Sequence, residues 1–417
     1  MTRTSEKAAV PCLRFKGCEG AWTKKVLGEI GVTYNGLSGK SKGDFGHGDG
    51  RYVTYLGVFN NAVANPKECG AIEIDSSQNQ VRDGDVFFTT SSETPDEVGM
   101  SSVWRGDGTN TYLNSFCFGY RPNDKIEIDY WARMLRSTAF RKNIIFLAQG
   151  ISRYNISKRK VMKLCVSLPG HKEQSKIGEC FKWLDQTIGL AESRESSLRQ
   201  LKRAMLVKMF PRPGQCVPEI RFKGFDDEWE YRTLGYYLQP SGTKNYAMKF
   251  SREDVLSVSG EYGIVNQIKF KGRSFAGASV ENYGVVERGD IVYTKSPLNQ
   301  TPYGIIKANL GPAGIVSTLY AVYKVGECAD PSFVQTYFSL DGRLNSYLRP
   351  LVRKGAKNDM KVSAEGALRG GVIFPSLSEQ RKIAAFFRNL DRVIGAAEKK
   401  VAKLRQVKAS LLERMFV

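Results

Sequence analysis

Histidine is nearly absent from this chain, and the residue types that form most catalytic and metal sites are scattered. The 417 residues include two histidines, His47 and His171, and eight cysteines with no Cys-x-x-Cys pair. Serine or cysteine nucleophiles therefore lack an obvious general base, and neither a zinc site nor a disulfide framework is expected. We predict no catalytic residue and no metal site in this chain.

Long apolar runs are also absent. The longest, such as Ile144–Ala148 and Gly314–Tyr323, fall far short of the ~20 residues that cross a bilayer. A phosphate loop is not expected, because Tyr34 stands where the motif GxxxxGK[ST] before Lys40 requires glycine. We expect a cytoplasmic protein that does not contact membranes and binds no cofactor of its own.

Positive charge is plentiful. Lysine and arginine number 62 against 42 aspartates and glutamates, a net charge of +20, and hydrophobic residues make up 41% of the chain. This composition is typical of globular domains with a basic exterior. The excess is similar in residues 1-210 (+9) and 211-417 (+11). Such a surface favours a polyanionic partner, above all nucleic acid.

The chain repeats itself. Residues 169-210 align with 375-416 without a gap, and the shared positions include the pairs Glu173/Glu379 and Phe210/Phe416. The openings Val10–Trp22 and Val217–Trp229 also correspond, as do the Val-x-x-Gly-Asp segments that end at Asp85 and Asp290. Each half therefore consists of a variable part followed by a repeated tail.

The repeated tail has the apolar spacing of a long helix, on the order of 55 Å at ~1.5 Å per residue. A single apolar stripe on so long a helix needs a partner, and the other copy offers one; the alternative is that each stripe only caps its own domain. The predicted helix-pair interface comprises Ile177, Phe181, Leu184, Ile188, Leu198, Ile383, Phe387, Leu390, Ile394 and Leu404.

The variable parts have the short runs of mixed α/β domains. Strands are expected within Arg51–Phe59, Asp85–Thr90, Ile291–Tyr293 and Ile315–Val325, and helices within Tyr130–Arg141 and Ser332–Leu348. The predicted class is α+β (mixed): two α/β domains separated by a pair of long antiparallel coiled-coil helices, with a pseudo-twofold internal repeat.

Basic residues mixed with amide, hydroxyl and aromatic side chains are the candidates for DNA contact, because lysine and arginine neutralise phosphates while Arg, Asn and Gln read base edges. In the first half they are Lys40, Lys42, Arg51, Ser91, Ser92, Arg105, Arg153, Tyr154 and Asn155. In the second half they are Lys244, Asn245, Tyr246, Lys295, Ser296, Asn299, Gln300, Lys307, Arg349, Arg353, Lys354 and Lys357.

Three features resemble the specificity subunits of type I restriction-modification systems. They are the tail segments Leu168–Ile188 and Phe374–Ile394, the opening Pro218–Phe225 with its looser counterpart Pro11–Cys18, and the segment Gly150–Ser157. The resemblance covers the whole chain and its twofold layout. In the first opening, Cys18 and Glu19 replace Phe225 and Asp226, so this edge of the first domain is expected to pack differently.

This resemblance implies target-recognition domains over 1-167 and 213-373 and conserved long helices over 168-212 and 374-417. It also implies that each domain reads one half of a bipartite double-stranded DNA site and that the helices set the spacer and dock partners. The implied partners are two methyltransferase subunits with S-adenosylmethionine, which methylate adenine N6, and two restriction subunits with ATP and Mg. The chain itself would be a non-catalytic recognition subunit.

Two other hypotheses remain open at this stage. An RNA-binding or scaffold protein could stack single-stranded bases on Tyr34, Tyr52, Tyr55, Phe59 and Tyr154. A stand-alone DNA-acting enzyme such as a nuclease is the second alternative. Competition between duplex DNA and RNA separates the first from DNA recognition, and metal-dependent cleavage by the purified chain would revive the second.

Overall fold

The chain divides into two compact units. A computed structural model describes residues 10–277, 279–296, 301–354 and 360–417. Unit 1 contains the residues up to Glu192 together with Lys399–Val417, and unit 2 contains Ser193–Glu398. Each unit therefore takes one half of each long helix.

Unit 1 combines short strands with short helices ahead of the first long helix. Its strands are β1 (Thr23–Val26), β2 (Gly31–Asn35), β3 (Phe45–Val53), β4 (Gly70–Ile72), β5 (Val86–Thr89), β6 (Ser91–Ser92), β7 (Ser101–Val103), β8 (Thr111–Leu113), β9 (Cys117–Pro122), β10 (Tyr154–Asn155) and β11 (Cys165–Leu168). Its helices are α1 (Tyr55–Asn60), α2 (Ile128–Met134), α3 (Thr138–Phe146), α4 (Lys158–Val161) and the first part of α5 (His171–Lys208).

The main sheet of unit 1 has the antiparallel order β2-β9-β5-β7. A second sheet has the order β4-β3-β8, in which β3 and β8 run parallel. Strand β1 pairs with β11, which ties the start of the chain to the residues just before α5. The core of this unit includes Phe88, Phe118 and Trp131 from the main sheet and α2.

Unit 2 has the same kinds of elements in a similar order. Its strands are β12 (Glu230–Thr233), β13 (Leu238–Pro240), β14 (Leu256–Ser259), β15 (Gly263–Asn266), β16 (Gly284–Val286), β17 (Ile291–Thr294), β18 (Ile306–Ala308), β19 (Gly314–Val316), β20 (Tyr320–Val325), β21 (Arg353–Lys354), β22 (Met360–Lys361) and β23 (Gly371–Phe374). Its helices are α6 (Leu234–Tyr237), α7 (Gln267–Lys271), α8 (Pro331–Tyr337), α9 (Asp341–Leu348) and the first part of α10 (Leu377–Arg414).

The sheets of unit 2 repeat the plan of unit 1. The four-stranded sheet has the antiparallel order β13-β20-β17-β18, and β12 pairs with β23 just before α10, as β1 pairs with β11 before α5. Three two-stranded sheets, β14-β15, β16-β19 and β21-β22, complete the unit. The mixed fold class predicted from the sequence is confirmed.

The two long helices, of 38 residues each, pair in an antiparallel manner within each unit. In unit 1 the first part of α5 faces the last part of α10: Glu192 accepts from Arg405 at 2.7 Å, and Asp185 from Lys408 at 2.6 Å. Compared with the first ion pair, the second lies closer to the N-terminus of α5 and closer to the C-terminus of α10. The two helices therefore run in opposite directions.

Unit 2 contains the complementary halves of the same helices. There Arg199 of α5 pairs with Glu398 of α10, and Lys202 pairs with Asp391. The predicted pair of long antiparallel helices is thus confirmed. Of the stripe residues predicted for this interface, Ile177, Phe181, Leu184, Ile188, Ile383, Phe387, Leu390 and Ile394 are buried, while Leu198 and Leu404 are partly exposed.

The end of each long helix enters the core beside the start of the other helix. In unit 1 the ring of Phe416 lies 5.8 Å from that of Phe181 and 5.6 Å from that of Tyr130. In unit 2 the ring of Phe210 lies 6.1 Å from that of Phe387. Each core is therefore completed by a residue from the helix tail of the other repeat.

A buried ion pair links each opening segment to the adjacent long helix. Arg14 donates two hydrogen bonds to Glu173, at 2.9 and 2.7 Å, and Arg221 donates two to Glu379, both at 2.8 Å. In each pair the hydrogen bond to glutamate raises the pKa of the arginine. These pairs explain why both the opening and the start of the tail recur in the sequence.

Several expected elements are shorter than predicted. The strand expected over Arg51–Phe59 ends at Val53, because Thr54 accepts from the Gly57 amide and begins α1. The expected helix Tyr130–Arg141 is broken at Ser137, whose hydroxyl caps α3.

Unit 2 has two similar breaks. The expected helix over Ser332–Leu348 is interrupted between α8 and α9, and the expected strand over Ile315–Val325 is interrupted at residues 317–319. Between α8 and α9 and between β19 and β20, the apolar pattern of the sequence continues through residues that form no helix or strand.

Candidate nucleic-acid interface

A repeated turn precedes an inner strand of each main sheet, β5 in unit 1 and β17 in unit 2. In unit 1 Gly84 has φ +83°, and the Asp85 carboxylate accepts from the Arg82 amide at 2.8 Å. The same carboxylate accepts from Tyr34 Oη at 2.7 Å and from Arg121 at 2.7 and 2.8 Å. Burial, followed by the nearby Asp85 charge, raises the pKa of Tyr34 well above its usual value. This turn is a rigid base for the loops around it.

Unit 2 has the same turn with a simpler set of partners. Gly289 has φ +97°, and the Asp290 carboxylate accepts from the Glu287 amide at 2.7 Å and from Lys324 at 2.9 Å. A cation on the neighbouring strand thus neutralises the buried aspartate in both units. The repeated Val-x-x-Gly-Asp segment is therefore structural and is not itself a binding motif.

A polar groove of unit 1 lies beside the Arg121 end of this turn. It has a volume of about 840 Å³ and is lined by Gln78, Asn79, Gln80, Arg82 and Arg105, among other residues. Amide and guanidinium groups are the side chains best suited to hydrogen-bond base edges. Arg105 was predicted from the sequence and the other four were not, although the run Gln78–Gln80 is a visible signal of amide side chains.

Arg105 is not free within this groove. Its guanidinium pairs with the Asp129 carboxylate at 2.6 Å, and its side chain is 40% exposed. Gln78 and Gln80 also contact the backbone: Gln78 accepts from the Ser38 amide and Gln80 from the Asn110 amide. The groove is therefore partly preorganised, while Arg82 is exposed.

A second groove in unit 1 is lined by three of the predicted residues, Ser91, Ser92 and Arg153, next to the strand that carries Tyr154 and Asn155. Strand β10 pairs with β6, so Tyr154 lies opposite Ser92 and Asn155 opposite Ser91. Arg153 lines the same groove, whose volume is about 360 Å³. The rest of its wall is Tyr55, Leu56, Phe59, Glu93, Glu97 and Phe116. The rings of Tyr55 and Phe59 stack with centroids 6.0 Å apart.

Not every residue of this groove can reach a ligand. Ser92 is 7% exposed and its hydroxyl donates to the Thr94 carbonyl at 2.9 Å, so it acts in the turn. Arg153 and Asn155 are exposed. Arg153 thus adds a cation to the groove that holds the rings of Tyr55 and Phe59, a combination that suits a nucleic acid.

The remaining candidates of unit 1 lie in the glycine-rich region. Lys40 pairs with Asp75 at 2.7 Å, and this hydrogen bond raises the pKa of Lys40. Lys42 and Arg51 are exposed. Of these three cations, Lys40 is thus partly neutralised within the protein.

In unit 2 the predicted residues lie on different elements. Asn245 is 2% exposed; its amide donates to the carbonyls of Phe250 and Val280 and accepts from the Phe250 amide. The sequence placed Asn245 among the DNA contacts, but its side chain is turned inward because it satisfies loop backbone groups. Its neighbour Tyr246 is 65% exposed, and Lys244 is half-buried.

Other cations of unit 2 differ in their access to solvent. Lys295, Ser296 and Lys307 are half-buried, and burial followed by the nearby Lys202 charge lowers the pKa of Lys307. Arg349 and Arg353 are exposed. For Lys354 the structure describes the backbone within β21, whereas Asn299, Gln300 and Lys357 lie outside the described residues.

Neither a membrane helix nor a metal cluster is found in the part of the chain that the structure describes. None of its helices is long and apolar enough to cross a membrane. Within the same residues, no three or more His, Cys, Asp and Glu side chains are grouped so that they could hold a metal ion.

Comparison with known proteins places this architecture. No family model matches the chain. A curated relative from Methanocaldococcus jannaschii, named "Putative type I restriction enzyme MjaX specificity subunit", is 21% identical over 422 residues, which cover 95% of this chain and 92% of the relative.

Solved structures show the same relationship. The crystal structure of a type I restriction-modification S subunit from M. genitalium matches with a TM-score of 0.56 and 16% identity over 98% of this chain and 99% of that chain. A chain from work on complex assembly and conformational transition of the type I system matches with a TM-score of 0.53 and 16% identity over 95% and 97%.

The fold and the grooves thus define a duplicated two-domain protein whose repeats share an antiparallel helix pair. This is the fold of the type I restriction-modification specificity subunits, and the resemblance to that family noted in the sequence is confirmed.

Proposed function

We propose that this chain is the DNA-specificity subunit of a type I restriction-modification complex. The observation that supports this function most strongly is the duplication: two units with equivalent sheets, ion pairs and helix ends carry different loops and grooves. A protein that reads two unlike half-sites needs this combination of a common frame and two separate surfaces.

Each unit reads one half of a bipartite duplex. The basic excess supplies phosphate contacts, and the amide and arginine groups lining the unit 1 groove supply hydrogen bonds to base edges. Mutation of a phosphate contact such as Arg349 is expected to weaken binding to all sequences, whereas mutation of a base contact relaxes one position of the site by ~1–3 kcal/mol.

The long helices have two roles in this proposal. Their length sets the spacer between the half-sites, and the faces outside the helix pair, within Ala191–Met209 and Ala397–Met415, dock the methyltransferase subunits. Leu201 and Val207, each 44% exposed, and Val407, 41% exposed, offer apolar contacts on these segments. Exposed apolar side chains on otherwise charged helices are typical of protein contacts.

Catalysis belongs to the partners in this proposal. Two methyltransferase subunits bring S-adenosylmethionine and methylate adenine N6, and two restriction subunits use ATP and Mg to translocate and cleave DNA. This chain binds none of these cofactors and acts in the cytoplasm. The second groove of unit 1 contains Tyr55 and Phe59 of the RNA-binding alternative, and competition between duplex DNA and RNA tests that alternative.

Genome-wide mapping of N6-methyladenine tests the function directly. Cells that express the chain with its cognate methyltransferase subunit are expected to methylate a split sequence with a fixed, unspecified spacer. Cells that express the methyltransferase subunit alone are the control and are expected to lack that motif. A contiguous short motif, or the same motif without this chain, would contradict the proposal.

A further inference from the structure

Unit 2 exposes a group of aromatic rings on the hairpin β14-β15 and the turn after α7. Tyr262 is 60% exposed, Phe270 45% and Phe275 54%. The rings of Tyr262 and Phe270 lie with centroids 5.3 Å apart. Large rings grouped on a surface normally mark a binding site, because exposed apolar area is stabilised when a partner covers it.

Two cations lie over one of these rings, that of Phe275. The Arg273 guanidinium lies 4.7 Å from the centroid of the Phe275 ring, and Lys271 Nζ lies 5.5 Å from it. Lys269, which precedes Phe270, is exposed, and Glu261 is the one acidic residue within 260–277. The segment therefore alternates positive charge with π surface.

Hydrogen bonds hold the segment in place. The Asn266 side chain caps α7 through the Lys269 amide at 3.1 Å and donates to the Glu253 carbonyl at 2.6 Å. The Gln267 side chain accepts from the Phe275 amide at 2.7 Å, which fixes the turn that carries Phe275. These contacts keep the rings and cations on one short stretch, so little order needs to be gained on binding.

The aromatic residues of β3 in unit 1 are placed differently. There Phe45 and Tyr52 contact each other with ring centroids 4.9 Å apart and pack against the buried residues Leu37, Ile72 and Tyr112. Aromatic rings in this region of unit 1 thus build a core, whereas those of unit 2 face solvent.

We propose that residues 262–275 of unit 2 are a DNA-contact element in which Lys269, Lys271 and Arg273 bind phosphates while Tyr262, Phe270 and Phe275 pack against bases and sugars. This inference rests on the proposed function and assigns residues 262–275 as a surface through which unit 2 contacts DNA. A duplex groove presents phosphates together with sugars and base edges, and an apolar side chain can wedge between base steps, so the alternation of cations and rings matches duplex DNA. An acidic protein surface would match the cations but would leave the rings without flat partners.

The test compares single substitutions in the full chain bound to its methyltransferase subunits, with a labelled mixed-sequence duplex as probe and binding measured across a salt series. Phe275→Ala is expected to weaken binding about tenfold at every salt concentration, because a stacked or groove-packed ring contributes without releasing counterions. Lys271→Ala is expected to lower the slope of log K against log salt by about 0.9.

Unit 2 offers a matched control. Tyr236 is 58% exposed, and the Arg232 guanidinium lies 5.6 Å from its ring centroid, so this pair has the same chemistry away from the hairpin. Tyr236→Ala and Arg232→Ala are expected to leave both affinity and salt slope unchanged. Phe275→Tyr, which keeps the ring, is expected to restore most of the affinity lost in Phe275→Ala.

The possible outcomes separate the inference from the function. If the wild-type complex binds the duplex and the hairpin variants bind equally well with the same slope, the inference is overturned while the proposed function stands. If the hairpin variants instead lose methyltransferase subunits, the surface is a protein interface and the inference also fails. If the wild-type complex shows no salt-sensitive duplex binding, the proposed function itself fails.

Discussion

The two units share a frame but differ in what they show to solvent. Arg14–Glu173 and Arg221–Glu379 occupy equivalent places, and Asp85 and Asp290 are both neutralised by a cation on the neighbouring strand. In contrast, unit 1 has amide-lined and tyrosine-lined grooves, whereas unit 2 exposes rings and cations on a hairpin.

This difference shows what duplication preserves. Repeated residues form cores, turns and helix contacts, because substitution there costs stability in a closely packed interior. Surface loops are freer to change, since most substitutions there alter stability little. In the proposed function, the positions that differ between the repeats are those that would read two different half-sites.

The largest effect is expected where each helix end completes a core. Phe210→Ala is expected to destabilise unit 2 by about 3–5 kcal/mol, since it removes a buried ring that packs on Trp229, Phe333 and Phe387. Phe416→Ala is expected to destabilise unit 1 by a somewhat smaller amount, because Phe416 packs on Tyr130 and Phe181. Urea unfolding with hydrogen exchange resolved by mass spectrometry measures both.

The unit in which hydrogen exchange increases in Phe416→Ala is a more specific test than the size of the destabilisation. Although Phe416 is the penultimate residue, its loss is expected to increase exchange in unit 1, which begins at the other end of the sequence. Val417→Ala, at an exposed position, is the control. Increased exchange in unit 2 alone would contradict the assignment of the last helix segment to the core of unit 1.

The next effect concerns the two ion pairs. Glu379→Gln leaves Arg221 without its charge partner and is expected to cost about 3 kcal/mol in unit 2. Glu173→Gln is expected to cost less, because the Glu173 side chain is 7% exposed while that of Glu379 is 1% exposed. Chemical denaturation measures the loss of unfolding free energy in each variant. An equal loss in both, or a larger loss in Glu173→Gln, would show that burial of the glutamate does not determine the contribution of the ion pair.

A smaller effect separates the two turns. Tyr34→Phe removes the hydrogen bond from Tyr34 Oη to Asp85 and is expected to cost about 1 kcal/mol. The turn should persist, because Arg121 still neutralises Asp85 as Lys324 neutralises Asp290 in unit 2. A shift in thermal unfolding measures the cost, and complete loss of folding would mean that Tyr34 and not Arg121 holds this turn.

The smallest effect is expected along the helices. Arg405→Ala removes an exposed pair with Glu192, and Arg199→Ala removes exposed contacts with Glu195 and Glu398. Each change is expected to alter stability by about 0–1 kcal/mol, since solvent screens such pairs. Losses well above this range in denaturant titrations would show that charge pairs and not the apolar stripe hold the helices together.

Much of the frame was predictable from the sequence. The gapless repeat predicted two long helices, and the burial of residues such as Phe181 and Phe387 follows from spacing by threes and fours. Breaks at Thr54 and Ser137 were not predicted, because a side-chain cap is a local signal inside an otherwise apolar pattern.

The surface was harder to predict, because composition does not reveal which way a side chain points. Asn245 was predicted to contact DNA but satisfies loop backbone groups, whereas the exposed residues Phe270 and Phe275 were not among the predicted contacts. The alternation of basic and aromatic residues over Lys269–Phe275 is visible in the sequence. Only the structure shows that Phe270 and Phe275 are exposed and that Lys271 and Arg273 lie over the Phe275 ring.

Domain exchange tests the central claim most directly. Residues 1-165 would be replaced by the corresponding domain of another specificity subunit with a known target, and N6-methyladenine would be mapped in cells that contain the cognate methyltransferase subunit. The account predicts that one half-site changes to the donor's sequence while the other half-site and the spacer length stay the same. A change in both half-sites, or in neither, would contradict it.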